Sequence, residues 1–183
     1  MKIAALLVTL LFAVTLAAQT KPSVPKWTRW EITPTVSVQY DPTVWKLGSI
    51  EKQPVLFLMA ADKTIRTNVA LSVMVLKDDL TAPDIIASRV AATQERKDVE
   101  TIALREYQAG EEYGVLFAFT AQNDKGDPFI IGRWSFAGDK LDIESHIVIE
   151  FEGVISMVQA NDDIMSKMDA VIQTYQIKPL PKK

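Results

Sequence analysis

The sequence has no cysteine, one histidine, seven glycines among 183 residues, and no clustered run of basic side chains inside the chain. Without cysteine there are no disulfides, no thiolate metal ligands and no thiol nucleophile, and no lipid can be attached through a processed N-terminal cysteine. With one histidine, any Ser-His-Asp arrangement must use His146. The phosphate-binding G-x-x-x-x-G-K, the G-x-S-x-G elbow and the zinc-binding H-E-x-x-H are all missing. No residue is therefore nominated as catalytic or as cofactor-binding, and no cofactor is expected. A pI near 5.2 without a basic stripe excludes nucleic acid as a partner, because phosphates are met by clustered Lys and Arg. The only basic cluster is Lys178, Lys182 and Lys183, and Pro179 and Pro181 make residues 178–183 an extended tail.

Long apolar runs are also scarce, and the one that exists stands at the start. Lys2 supplies a positive end, Ile3 to Val14 is apolar but for Thr9, and small Ala17 and Ala18 follow. That order predicts a secretory signal peptide over residues 1–18, cleaved between Ala17 and Thr20, and hence an exported protein, periplasmic or secreted. A spanning helix needs roughly 20 apolar residues, and Gln19, Thr20 and Lys21 arrive too early, so no membrane span is expected after cleavage. Removing Lys2 with the signal takes the formal net charge from −3 to −4. Pro22 and Pro25 mark residues 19–26 as a flexible leader, and residues 27–177 are long enough for one core and one domain.

Within that domain a period of two dominates. Trp30 to Thr33, Val36 to Tyr40, Val55 to Ala60 and Thr67 to Lys77 read as strands. Thr81 to Lys97 changes period and predicts a helix, with Thr81 as N-cap, Asp84 as its capping partner, Pro83 in the first turn, and Arg96 and Lys97 at the negative end. Val99 to Tyr107, Glu112 to Ala121 and Phe129 to Phe136 then form a meander through Ala109-Gly110 and Asn123 to Gly126. Gly138-Asp139 reads as a two-residue turn. It would place Phe136 opposite Leu141, Trp134 opposite Ile143, Ser135 opposite Asp142 and Arg133 opposite Glu144. Asn161 caps a second helix in which Ile164, Met165, Met168, Val171, Ile172 and Tyr175 follow helical spacing. The fold class is α+β: an antiparallel sheet with two main helices.

Tyr40-Asp41-Pro42-Thr43-Val44-Trp45 resembles the Y-x-P-x-x-W start of PsbP-like domains and related bacterial envelope proteins of DcrB and LpqN type. Asn68 to Val73 is similar to their strand before the first helix, Tyr113 to Phe119 to their central strand, and Ile172 to Tyr175 to the end of their last helix. The resemblance spans Trp30 to Ile177 and implies an α/β/α sandwich around an antiparallel sheet. It implies little about activity, because a fold does not carry a function with it, and no binding residue is transferred.

Two residue sets invite a site. Asp142, Glu144 and His146 alternate on one strand and could offer a divalent metal three ligands, but the expected cross-strand partners Arg133 and Ser135 would occupy the carboxylates and no fourth ligand is evident. Trp27, Trp30 and Trp45 could form a platform for a sugar ring or apolar ligand; Trp30 and Trp45 read better as core, and Trp27 as the exposed one. The leading expectation is a noncatalytic exported binding module whose partner is a protein or a small apolar or glycan ligand. It calls for an apolar concavity beside a helix. An accessory subunit of an envelope assembly calls for a flat face, and a metal enzyme for acids converging on His146. Intact-mass measurement of the exported protein is expected to show an N-terminus between Ala18 and Lys21; full-length mass in that fraction contradicts the signal reading.

Overall fold

The computed structural model describes residues 26–138 and 146–178. Residues 1–25, with the signal peptide and most of the leader, lie outside the described residues, as do Asp142, Glu144 and 179–183 of the tail. Strands β1 (Thr28–Glu31), β2 (Val36–Tyr40), β3 (Trp45–Ile50), β4 (Gln53–Met59) and β5 (Ile65–Lys77) precede helix α1 (Ala82–Gln94). Then follow β6 (Glu100–Ala109), β7 (Glu112–Gln122), β8 (Pro128–Ala137), β9 (Ile147–Ser156), helix α2 (Asp162–Ile172) and the two-residue β10 (Gln176–Ile177). Seven strands form one antiparallel sheet in the order β3-β4-β5-β9-β8-β7-β6, and β1, β2 and β10 form a second, small one. The architecture is thus a predominantly antiparallel sheet with two helices.

Period two sends alternate residues of each central strand to opposite faces. One face carries Leu71, Ile149, Phe151, Trp134, Phe136 and Leu116, and packs against Ile164, Met168, Val171 and Ile172 of α2 and Val36 and Val38 of β2. Asn161 starts α2 by accepting a hydrogen bond from the Ile164 amide through Oδ1 (3.0 Å), as its position predicts. The opposite face carries Val148 under Ala82 and Ile85 of α1, and Phe117, Phe119 and Ile131 under Val90.

Three expectations need correction. Helix α1 stops at Gln94, and Arg96 turns to Asp98 (2.6 Å) instead of the helix end; Thr81 stands at the N-cap and bonds Asp84 (2.5 Å) as expected, but its side chain accepts from no backbone amide. Strand β3 follows directly on the Tyr40 to Trp45 motif, where no strand is predicted. Most consequentially, β8 and β9 are not joined by a two-residue turn: Phe136 pairs with Ile149, Trp134 with Phe151, Ser135 with Glu150 and Arg133 with Glu152. The register differs by eight residues from the Gly138-Asp139 reading. Eight is even, so Phe136, Trp134, Ser135 and Arg133 keep their faces and their kinds of partner, apolar or acidic.

That register sets a charged cluster beneath α1. Glu150, 1% exposed, accepts two hydrogen bonds from Arg89 of α1 (3.0 and 2.6 Å) and one from the Ser135 hydroxyl (3.2 Å). Arg133 lies 3.7 Å from the same carboxylate and donates to Glu152 (2.8 Å) and to Thr93 of α1 (3.0 Å), with its guanidinium 5.1 Å from the Phe119 ring centroid. A fork of two parallel N–H donors suits a carboxylate, and a buried carboxylate stripped of such donors is costly. Arg89→Ala is expected to lower stability by about 2–3 kcal/mol, less than a fully orphaned buried charge costs because Arg133 and Ser135 remain and Arg89 is 32% exposed. Replacing Arg89 and Glu150 together with leucine is expected to cost less than the sum of the single changes; urea unfolding midpoints decide it.

Candidate functional site

Helix α1 packs over β8 and β9, near the middle of the sheet, and reaches Phe117 and Phe119 of β7 through Val90, leaving the Leu104–Tyr113–Val115 end of that face uncovered. Between helix and hairpin runs an open groove of ≈ 800 Å³. Ile86, Val90 and Ala87 form the helix wall, and Leu104 and Val115 form the floor. The concavity comes from small side chains, since Ala87 and Ala91 keep the helix wall low, while Gly114, whose Cβ would point to the other face, lets the hairpin backbone lie close to β8. A Cβ on Gly114 would stand 2.4 Å from the Ser135 carbonyl oxygen and 2.7 Å from the Phe136 ring, so only glycine fits there. Polar groups stand among these apolar walls: Gln94, Glu106 and Tyr113, the last 73% exposed. The volume lies in the range of small-molecule sites, and an apolar body with few polar groups is what such walls accommodate.

The candidate residues chosen from sequence lie elsewhere. Trp30 and Trp45 are 4% and 2% exposed and belong to the core, whereas Trp27 is 40% exposed. The two buried rings offer no open face to a ligand. Asp142 and Glu144 lie outside the described residues. His146 is exposed, with Nδ1 2.9 Å from the Leu80 carbonyl oxygen. Arg133 and Ser135, expected opposite Glu144 and Asp142, are instead engaged by Glu152 and Glu150. Asn123 to Asp127 form a hairpin turn: Asn123 Oδ1 accepts from the Lys125 and Asp127 amides (2.9 Å each), and Gly126 takes φ +81°. Sequence reasoning missed the groove. Its trace was Ile102 and Leu104 alternating with Ala103 and Arg105, an edge strand apolar on the side away from the core.

On the core face, α2 is tied to β6 through Tyr107, whose hydroxyl donates to Asp169 (2.5 Å) and accepts from Gln173 (2.9 Å). Burial and the Asp169 carboxylate hold this phenol well above its ordinary range. Burial, with the charge of Glu112, does the same to Tyr175, which packs between Phe136 and Phe151.

Similarity to two solved structures defines the class, a PsbP/LpqN-like fold. The chain is similar to the crystal structure of LpqN, involved in cell envelope biogenesis of Mycobacterium tuberculosis, with a TM-score of 0.60 over 84% of this chain and 91% of that one at 8% identity. It is also similar to the solution structure of cyanobacterial PsbP (CyanoP) from Synechocystis sp. PCC 6803, with a TM-score of 0.50 over 89% and 99% of the two chains at 13% identity. No family model matches the chain, and no curated protein matches it. The resemblance carried by Tyr40 to Trp45 and by the order of elements therefore holds at the level of fold. No helix among the described residues is long and apolar enough to cross a membrane.

The raised phenols fix a sign for alkaline stability. Below the ordinary phenol value of 10.0 both tyrosines are neutral folded or unfolded; above it the unfolded chain ionises first, so stability falls as pH rises. Thermal unfolding followed from pH 8 to about 11 is expected to show a shallower decline in Tyr107→Phe than in the parent protein.

Proposed function

We propose that this chain is an exported, noncatalytic binding domain that holds a small apolar ligand in the groove between α1 and the β6–β7 hairpin. The observation that carries the reading is the ≈ 800 Å³ concavity with apolar walls on the face that α1 covers only in part. Among the three expectations, an apolar concavity beside a helix belongs to the binding module. A glycan is a poorer occupant than an acyl or other hydrocarbon body, because Tyr113 is the only aromatic ring lining the groove. Export rests on the signal-like residues 1–18, and the absence of catalysis on the missing motifs. The placement of α1 and α2 on opposite faces is read as an abbreviated α/β/α sandwich, with the small sheet completing the α2 side, and residues 27–177 as one domain.

A second reading, an accessory subunit of a larger envelope assembly, draws on the free edge of β6, where Ile102 and Leu104 are 53% and 50% exposed. The two readings differ in what they need. A subunit interface requires the strand edge, and a ligand requires the hollow beside it.

Titration of the mature protein with a dansyl-labelled medium-chain fatty acid is expected to give saturable fluorescence enhancement. Ala87→Phe fills the exposed helix wall without disturbing the core and is expected to weaken binding at least tenfold, about 1.4 kcal/mol, with an unchanged unfolding midpoint. No enhancement in the parent protein, or equal affinity in Ala87→Phe, overturns the assignment.

A further inference from the structure

A second cavity, ≈ 360 Å³, lies on the other face of the same hairpin, between α2 and β6–β7. Trp134, Arg105, Leu116, Met165, Ser166 and Asp169 line it. Trp134 is 1% exposed, yet its indole Nε1 is a buried donor with no hydrogen-bond partner. Indole N–H groups in protein interiors ordinarily find an acceptor, so an unpartnered one marks where an acceptor belongs.

The orientation of that ring follows from two glycines. A Cβ on Gly132 would meet Trp134 Cη2 at 2.9 Å and Cζ3 at 3.0 Å, and one on Gly153 of β9 would meet Cζ3 at 3.1 Å. The six-membered ring therefore lies over these two backbones with its Cζ3 edge toward β9. Nε1 is on the opposite edge of an indole, so it faces β7, the side on which the cavity lies. Across the sheet, Arg105, Leu116 and Trp134 are successive partners on one face, which sets the guanidinium of β6 in line with the indole of β8. Arg105 makes no hydrogen bond or ion pair among the described residues. From α2, Asp169 faces the same space; one carboxylate oxygen accepts from Tyr107, and Oδ2 makes no hydrogen bond among the described residues.

The sheet side of this cavity offers a cation and a neutral N–H donor, and the helix side a carboxylate. Leu116 and Met165 are apolar between them. A ligand complementary to all of these carries a carboxylate and an ammonium on adjacent carbons with a short hydrocarbon branch. We propose that this cavity binds a free α-amino acid with an apolar side chain: its carboxylate accepts from Arg105 and Trp134 Nε1, its ammonium donates to Asp169, and its side chain rests on Leu116 and Met165. Nε1 is itself covered, so a ligand reaches it only when a lining group moves, and the unbranched Met165 side chain is the one flexible enough to do so. This site is separate from the groove under α1 and does not depend on it.

Four tryptophans give four indole N–H cross-peaks in a ¹H–¹⁵N spectrum, and Trp134→Phe identifies one of them. Titration of the mature protein with L-leucine is expected to shift the Trp134 peak saturably and leave those of Trp27, Trp30 and Trp45 in place. Arg105→Gln and Asp169→Asn are each expected to raise Kd at least tenfold; the asparagine still accepts from Tyr107, so the tie between α2 and β6 persists. Ala87→Phe, which fills the other groove, is expected to leave the leucine titration unchanged. A Trp134 peak that stays still up to about 10 mM leucine, beyond the range of weak small-ligand binding, overturns the proposal. So does an equal response to acetate, which has the carboxylate alone, or a leucine response lost in Ala87→Phe.

Discussion

A carboxylate buried at the middle of an antiparallel sheet is the constraint on which the α1 face depends. Glu150 is too costly to bury alone, and the chain satisfies it with a two-pronged guanidinium from Arg89, a hydroxyl from Ser135 and a nearby second guanidinium from Arg133. Helix α1 has little else to fix its position. Ala82 and Ile85 are its buried apolar residues, and a small apolar contact of that kind tolerates sliding. The ion pair specifies a place: over β8 and β9, with Thr93 bonded in turn to Arg133. The groove is the counterpart of that placement. A helix pinned over the centre of a seven-stranded sheet leaves one end of an outer hairpin bare on that side.

The α2 face is organised on the opposite principle. Ile164, Met168, Val171 and Ile172 are all buried, and α2 docks by apolar area, with polar ties only at its C-terminal end. There Gln173 reaches the Gln108 carbonyl, and Thr174 bonds both backbone groups of Gln39. One helix is located by charge and the other by shape. The first leaves a wide apolar hollow beside it, the second a smaller one edged with charged groups.

Much of this was legible before any coordinates. Period two marked most of the long strands, Asn161 marked the start of α2, and the apolar spacing from Ile164 to Tyr175 marked its inner face. What escaped did so for identifiable reasons. Gly138-Asp139 has the composition of a tight turn, yet Ala137 pairs with Val148, and turn chemistry alone does not set the register. Glu150 sits between Ile149 and Phe151, where alternation reads as an outward acid, and nothing local says that Arg89, far back in the chain, will cover it. Strand β10 has two residues, too short to show a period. The groove is the hardest case, because it is made by side chains that are small, at Ala87 and Ala91, and a missing volume leaves no periodic mark. Trp30 and Trp45 read as core and are buried, and Trp27, read as the exposed ring, is exposed. Trp134, the one not singled out, carries the unpartnered donor.

The seam between β5 and β9 sets the order in which this molecule can come together. Val69 to Lys77 pair with Ile147 to Ile155, so the two halves of the large sheet are joined by strands far apart in the chain, and β2 likewise waits for β10. Non-local pairing of this kind must overcome loop-closure entropy before any contact rewards it, which makes closure slow. A chain emerging N-terminus first therefore cannot seal β5 until β9 has appeared. Until then the β3–β4–β5 hairpins keep an open strand edge, Val69 and Leu71 lack the cover they have in the finished core, and the nascent molecule is at its most adhesive.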